Sequence, residues 1–188
     1  MRFRSRALFE GGLPVIEVTM RTAAAGAAVA AIRRELAQVV VGAGTLLRAA
    51  DVATAVQAGA GFLVSPGLTP ELAAAALAAE LPYLPGVATP SEVMAARALG
   101  ICVMKFFPAE ALGGAAWLRA LAPVFPGVAF CPTGGIDETR AAEYLTLANV
   151  PMVGGSWMVP RDAVAAGDWR RIRRLAERAA AIGRREAA

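Results

Sequence analysis

Histidine is absent from this 188-residue chain and lysine occurs once. Without an imidazole, Ser-His-Asp and Cys-His catalysis and nearly all His-ligated zinc sites are excluded, so any chemistry falls to lysine, carboxylates, hydroxyls or backbone. Cysteine is also scarce. Cys102 and Cys131 lie in apolar segments and are expected to pack as reduced, small hydrophobes rather than to form a bridge. Long uninterrupted apolar runs are missing as well: hydrophobic residues make up 57% of the chain, but alanine supplies much of that share and no window reads as a membrane helix. The opening MRFRSRALFEGG has basic residues but no apolar core or cleavage site behind them, so it is not read as a secretory signal. A soluble cytoplasmic protein is expected, with a length that suits one domain over 1–188 and a buried core.

Of the 19 basic residues, all but Lys105 are arginine. Arginine does not surrender its proton in a protein, whereas lysine can, and a neutral amine is a nucleophile. Lys105 sits in the run VMKFFPA, where Val103, Met104, Phe106 and Phe107 leave neither strand face obviously wet. A strand lysine is ordinarily a solvated or snorkelling charge. In this apolar setting, which would favour the neutral amine, Lys105 becomes a candidate Schiff-base residue.

The net charge of +4 raises the question of an anionic polymer as partner. Residues 169–188 hold seven Arg and two Glu, or +5, which leaves −1 for residues 1–168. Trp169, Ile172, Leu175, Ala176, Ala179 and Ile182 follow helical spacing, and the arginines take the other face. Residues 168–188 therefore read as a C-terminal amphipathic helix. No aromatics interleave with its arginines, and neither a nucleic-acid nor a membrane partner is expected.

Short apolar segments alternate with alanine-rich helical stretches. Strands are predicted at Val15–Thr19, Val39–Gly42, Gly61–Ser65, Pro82–Pro85, Cys102–Phe106, Val128–Pro132 and Pro151–Val153. Helices are predicted at Ala23–Leu36, Ala50–Ala58, Pro70–Ala79, Pro90–Leu99, Ala115–Ala122 and Asp137–Leu147, several opening on capping signals at Asp51, Thr69-Pro70, Thr89-Pro90-Ser91 and Asp137. The rhythm is that of βα units on a parallel sheet. Isolated charges at the C-terminal ends of buried strands favour a (β/α) barrel over a doubly wound sheet, whose dinucleotide fingerprint is missing because Gly42-Ala43-Gly44 lacks its third glycine. Seven strands are predicted where a closed barrel has eight.

Glu17 is a carboxylate in the apolar strand VIEVT, and alternation would put Val15, Glu17, Thr19 and Arg21 on one face. Two readings stay open: an internal ion pair holding the strand end, or the acid that imine chemistry needs to move protons. After the last two predicted strands come Pro132-Thr133-Gly134-Gly135 and Val153-Gly154-Gly155-Ser156. Either glycine pair alone reads as a turn. Together, at the ends of successive strands, they point to backbone amides that cradle a phosphate.

IEVTMRT at 16–22, VGAGT at 41–45, SPG at 65–67, LPGVATPSE at 84–92, KFFPAE at 105–110, CPTGGI at 131–136 and GGSW at 154–157 together resemble the 2-keto-3-deoxy-6-phosphogluconate (KDPG) aldolase and 4-hydroxy-2-oxoglutarate (KHG) aldolase family. The resemblance runs from about Arg6 onward in one order. It implies a (β/α)8 barrel of the class I aldolase type and an Entner-Doudoroff enzyme, forming a homotrimer and needing no metal or organic cofactor. It implies the substrates KDPG, yielding pyruvate and glyceraldehyde 3-phosphate, and KHG. It further implies that Lys105 forms the Schiff base and Glu17 is the general acid/base. Arg21 and Thr45 would hold the pyruvate carboxylate, Thr133 would lie beside the imine, Pro66 would shape the wall, and Gly134, Gly135, Gly154, Gly155 and Ser156 would form the phosphate cradle.

Members of this family usually begin with a further strand and most of a helix ahead of the segment equivalent to Ser5–Gly12. The barrel is accordingly expected to lack its first strand, with Glu17 on an edge. A catalytically impaired relative that only binds phosphorylated sugar acids would show affinity without pyruvate-dependent modification of Lys105. A metal-free phosphosugar isomerase would act without a covalent intermediate.

Overall fold

The structure, a computed structural model, describes residues 2–184. A first helix, α1 (Arg2–Glu10), leads into β1 (Val15–Thr19), and the chain then alternates α2 (Ala25–Glu35), β2 (Val40–Gly44), α3 (Ala49–Gln57), β3 (Leu63–Val64), α4 (Pro70–Ala78) and β4 (Tyr83–Leu84). It continues through β5 (Gly86–Val87), α5 (Pro90–Ala98), β6 (Val103–Phe106), a 3-10 turn at Glu110–Leu112, α6 (Gly114–Leu121), β7 (Ala129–Pro132) and α7 (Glu138–Leu145). Two helices close the described chain, α8 (Arg161–Ala166) and α9 (Trp169–Arg184). The predicted C-terminal helix is thus seen as α9, and residues 185–188 of that prediction lie outside the described residues. The short α8 carries no strong periodicity and was not anticipated.

Helix starts follow their capping chemistry. Thr69 Oγ1 accepts from Leu72 N, Asp137 from Arg140 N, and Thr89 with Glu92 forms a reciprocal capping box. Asp51 acts one turn inside α3, where its carboxylate accepts from the backbone of Leu47 and Arg48.

All paired strands are parallel, in the order β1-β2-β3-β4 and then β5-β6-β7. The predicted strand at 82–85 is seen as β4, which pairs with β3 and stops at Pro85, a residue with no N–H to give a ladder. Beyond the predicted bounds, β5 pairs with β6, and Pro85 between them accepts from Lys105 N. The predicted strand Pro151–Val153 is not one. Phe130 donates to Asn149 and Gly154 to Pro132, leaving one isolated bridge between Thr133 and Gly154. The chain bends at Pro151, which has no N–H to give a ladder, and residues 150–153 stay outside any strand.

Strand β1 pairs with β2 alone among the described residues. The fold is of the (β/α)8 barrel type without its first strand, and Glu17 lies on an edge strand as expected. Val15 and Val40, partners in register and on the same face as Glu17, are 60% and 48% exposed because nothing described covers them. On the helical side, α1 lies against α9: Gly11 permits an approach so close that a Cβ there would meet Ala176 Cβ at 2.5 Å. Phe3 stacks on Trp169, and Ile172 and Ala176 are buried beneath. The arginine face of α9 is matched to acids, with Arg171 on Asp162, Arg173 on Glu177 and Arg178 on Glu138. Beneath α6, Phe106 stacks on Trp117 at 4.3 Å and Phe130 meets the same indole edge-on. No described helix is long and apolar enough to cross a membrane.

Candidate active site

The parallel ladder puts Lys105 level with Cys131 on β7, and two residues further along β7's path comes Thr133. On the far side of the barrel, Glu17 is level with Gly42. Lys105 is 7% exposed, and its Nζ lies 3.7 Å from Glu17 Oε1, so β6 and β1 meet across the interior through one buried amine and one carboxylate. The amine also lies 5.2 Å from the centre of the Phe107 ring. Phe106, expected from sequence to crowd the amine, instead faces the outer core against Trp117. Alternation along β6 requires this, since Lys105 and Phe106 occupy opposite faces.

Glycine on β2 makes room for the pair. A Cβ at Gly44 would fall 1.8 Å from Glu17 Oε1, so the carboxylate crosses the barrel over the bare backbone of β2. A Cβ at Gly42 would meet the Phe62 ring at 2.3 Å. Next to Gly44, Thr45 has a φ of +60°, a left-handed conformation that costs a β-branched residue about 1–3 kcal/mol and tends to occur where function demands it.

The remaining predicted residues are placed as follows. Thr133 packs against Gly154, where a Cβ would lie 2.5 Å from its Oγ1, and that hydroxyl donates to Cys131 O at 3.3 Å. The carbonyl of Pro66 lies over Gly86, and Ser65, buried beside it, joins Gly67 O at 2.6 Å and Tyr83 Oη at 2.7 Å, fixing the wall after β3. Gly134 and Gly135 take φ values of +102° and +79°. Among the described residues, the amides of Gly134, Gly135, Gly155 and Ser156 donate to no backbone acceptor, which leaves them for an anion. Gly154 differs: its amide is spent on Pro132 O, and its lack of a side chain makes room for Thr133.

Arg21 is exposed and pairs with no acid among the described residues. Strand β1 stops at Thr19, so the expected alternation does not carry to residue 21. Instead Arg21 lines a cleft of about 630 Å³ with Thr22, Gly26, Asp51 and Thr54.

The two cysteines part company. Both are free, but Cys102, just before β6, is exposed, against expectation, because its neighbour Ile101 takes the buried position. Cys131 is half-buried, with Thr133, Lys105 and Glu17 near enough to act on it, and burial pushes its thiol up to about 11. Sequence reasoning did not find Cys131 or Ser65 as neighbours of the site, whereas Phe107 is where the run around Lys105 put it. The register of β6 on β7 was the only route to Cys131. No cluster of three or more metal-binding side chains occurs among the described residues.

A buried amine beside a carboxylate, with free amides at a second position, is suited to imine formation on an anionic substrate. A family model described as KDPG and KHG aldolase matches residues 4–175. The chain belongs to the KDPG and KHG aldolase family. It is 47% identical over 175 residues to the KHG/KDPG aldolase of Escherichia coli K12, covering 93% of this chain and 82% of that protein. The crystal structure of Legionella pneumophila KDPG aldolase, with pyruvate captured as a covalent carbinolamine, superposes with a TM-score of 0.90 at 44% identity, covering 93% of this chain and 85% of the other. The Zymomonas mobilis enzyme with 3-phosphoglycerate gives the same TM-score at 46% identity, over 96% and 85%. The aldolase family is one of lyases, and its members share this barrel.

Proposed function

We propose that this chain is a class I aldolase that cleaves KDPG to pyruvate and glyceraldehyde 3-phosphate, and also acts on KHG to give pyruvate and glyoxylate. The observation that carries the reading is the buried amine of Lys105 beside the Glu17 carboxylate. In this scheme the neutral amine of Lys105 attacks the C2 ketone. Glu17, 3.7 Å away, moves the protons that turn the carbinolamine into an imine with loss of water. Glu17 then takes the C4 hydroxyl proton, the C3–C4 bond breaks, and its electrons pass into the protonated imine to form an enamine. Glyceraldehyde 3-phosphate leaves, C3 is reprotonated, and water releases pyruvate and restores the amine.

Thr133 lies beside the imine and Pro66 shapes its wall. Thr45 and Arg21 hold the substrate carboxylate, Arg21 swinging in from the adjoining cleft with its fork-shaped donors free. The amides of Gly134, Gly135, Gly155 and Ser156 receive the phosphate, with Gly154 supporting Thr133 between them. The enzyme works in the cytoplasm, in the Entner-Doudoroff pathway, as a homotrimer. The Legionella relative trapped with a pyruvate carbinolamine supports the imine step, and the Zymomonas relative bound to 3-phosphoglycerate supports a phosphorylated substrate.

Incubation with pyruvate and borohydride, followed by peptide mass spectrometry, tests the reading. Lys105 is the one lysine, so only the N-terminal amine competes. An adduct on Lys105 is expected. Folded protein without that adduct would refute the imine mechanism.

A further inference from the structure

Behind the Gly134–Gly135 turn lies a cluster of polar side chains that the proposed reaction does not use. Glu110, in the 3-10 turn after β6, has both carboxylate oxygens engaged: Oε1 accepts from Tyr144 Oη at 2.6 Å and Oε2 meets Arg140 Nη1 at 2.6 Å. Tyr144 is 1% exposed, so its hydroxyl has little access to water as an alternative partner. Burial and the adjacent Glu110 carboxylate both raise the Tyr144 hydroxyl's affinity for its proton, which keeps it a donor. Both partners stand on α7, which begins directly after the turn.

The same cluster grips the turn itself. Arg140 Nη1 also reaches Gly135 O at 3.4 Å, and the backbone of the 3-10 turn holds the other side, with Ala109 N donating to Thr133 O and Glu110 N to Gly134 O. A Cβ at Gly135 would lie 2.9 Å from Glu110 Cβ, so Glu110 also packs against the turn. One short segment, Lys105 to Glu110, therefore carries the imine lysine at one end and the support of the anion-binding turn at the other. The charge balance matters too. A lone carboxylate behind a ring of amides would repel a phosphate, and Arg140 cancels it.

We infer that Glu110, Arg140 and Tyr144 are positioning residues that hold the Gly134–Gly135 turn in its anion-binding shape and so set the preference for phosphorylated over unphosphorylated substrate. The inference rests on the proposed aldolase reading. It separates phosphate binding from imine chemistry, because none of the three touches Lys105 or Glu17.

The test compares Arg140→Met, Tyr144→Phe and Arg140→Lys with the wild-type protein, using KDPG, KHG and inorganic phosphate. Arg140 is 48% exposed and Tyr144→Phe keeps the volume, so neither change should prevent folding. For Arg140→Met, KM for KDPG should rise about tenfold, the loss of one charge-assisted contact, with kcat and the KM for KHG within about twofold. Tyr144→Phe, which leaves every charge in place, should shift the same KM by about threefold, the loss of one neutral hydrogen bond. Arg140→Lys should recover part of the loss. The amide resonances of Gly134 and Gly135 should report weaker phosphate binding in the same order. Equal changes with both substrates, or none with either, would overturn the inference. If the wild-type protein traps pyruvate on Lys105 while the variants bind phosphate normally, the cluster inference fails and the aldolase reading stands. If the wild-type protein traps no pyruvate, the aldolase reading fails, and the phosphate titrations alone decide the role of the cluster.

Discussion

Glu17 Oε1 and Lys105 Nζ stand 3.7 Å apart at the end of a carboxylate that reaches across the barrel over Gly44. The contact joins an edge strand to a central one. Because β1 is held on one side only, the position of Glu17 depends on its ladder with β2 and on the clearance that Gly44 provides.

Removing the acid should leave nucleophile and fold in place. Glu17→Gln is expected to lower kcat by about 10²–10⁴-fold, the usual contribution of a positioned acid/base. Borohydride trapping of pyruvate on Lys105 should be slower but still detectable by mass spectrometry. Unchanged turnover would remove Glu17 from the mechanism.

Lys105→Arg preserves a cation opposite Glu17 but cannot form an imine. Cleavage should fall below detection and no pyruvate adduct should form, while the melting temperature stays within a few degrees of wild type. Residual cleavage at more than trace level would show that another group is the nucleophile.

Gly44→Ala tests the clearance directly. The added methyl would occupy the space of the Glu17 carboxylate, which must swing away from Lys105. A displacement of this kind is expected to cost about a hundredfold in kcat, with a stability loss of about 1–3 kcal/mol from overpacking. Thermal melts and single-turnover kinetics separate the two effects. A variant with full activity would show that the carboxylate does not need this path.

Cys131 supplies a pH test. Burial raises its pKa from an ordinary value of 9.0 to about 11, so the folded state keeps the proton that the unfolded state releases first. Its contribution to stability is complete below pH 9 and is lost as pH rises through 11. Cys131→Ala should reduce the fall in melting temperature over that interval. At pH 8, iodoacetamide should label exposed Cys102 well before Cys131. Rapid labelling of Cys131 in folded protein would contradict its burial.

The aromatic stack under α6 predicts a stability effect distant from the chemistry. Trp117→Ala removes the partner of both Phe106 and Phe130 and should cost about 3–5 kcal/mol in denaturant unfolding. A loss below 1 kcal/mol would mean that the stack is not a packing centre.

Much of this protein is set by local sequence. Threonine and aspartate caps start α4, α5 and α7 where the residues predict them, the apolar runs VIEVT and VMKF place the strands, and a sole lysine in an apolar run marks the candidate Schiff-base residue. These features follow from backbone geometry and side-chain chemistry within a few residues, so they can be read along the chain. What the tertiary structure alone decided depends on which strands lie side by side. The predicted strand at 82–85 is followed past Pro85 by a second short strand with a different neighbour, and Pro151–Val153 forms no strand, leaving a single bridge at Gly154. The register of β6 on β7 brings Cys131 level with Lys105, the end of β1 at Thr19 leaves Arg21 in a cleft with Asp51 and Thr54, and the packing of α7 on the 3-10 turn assembles Glu110, Arg140 and Tyr144. Each of these joins residues distant in sequence through ladder register or helix packing, which no local pattern encodes.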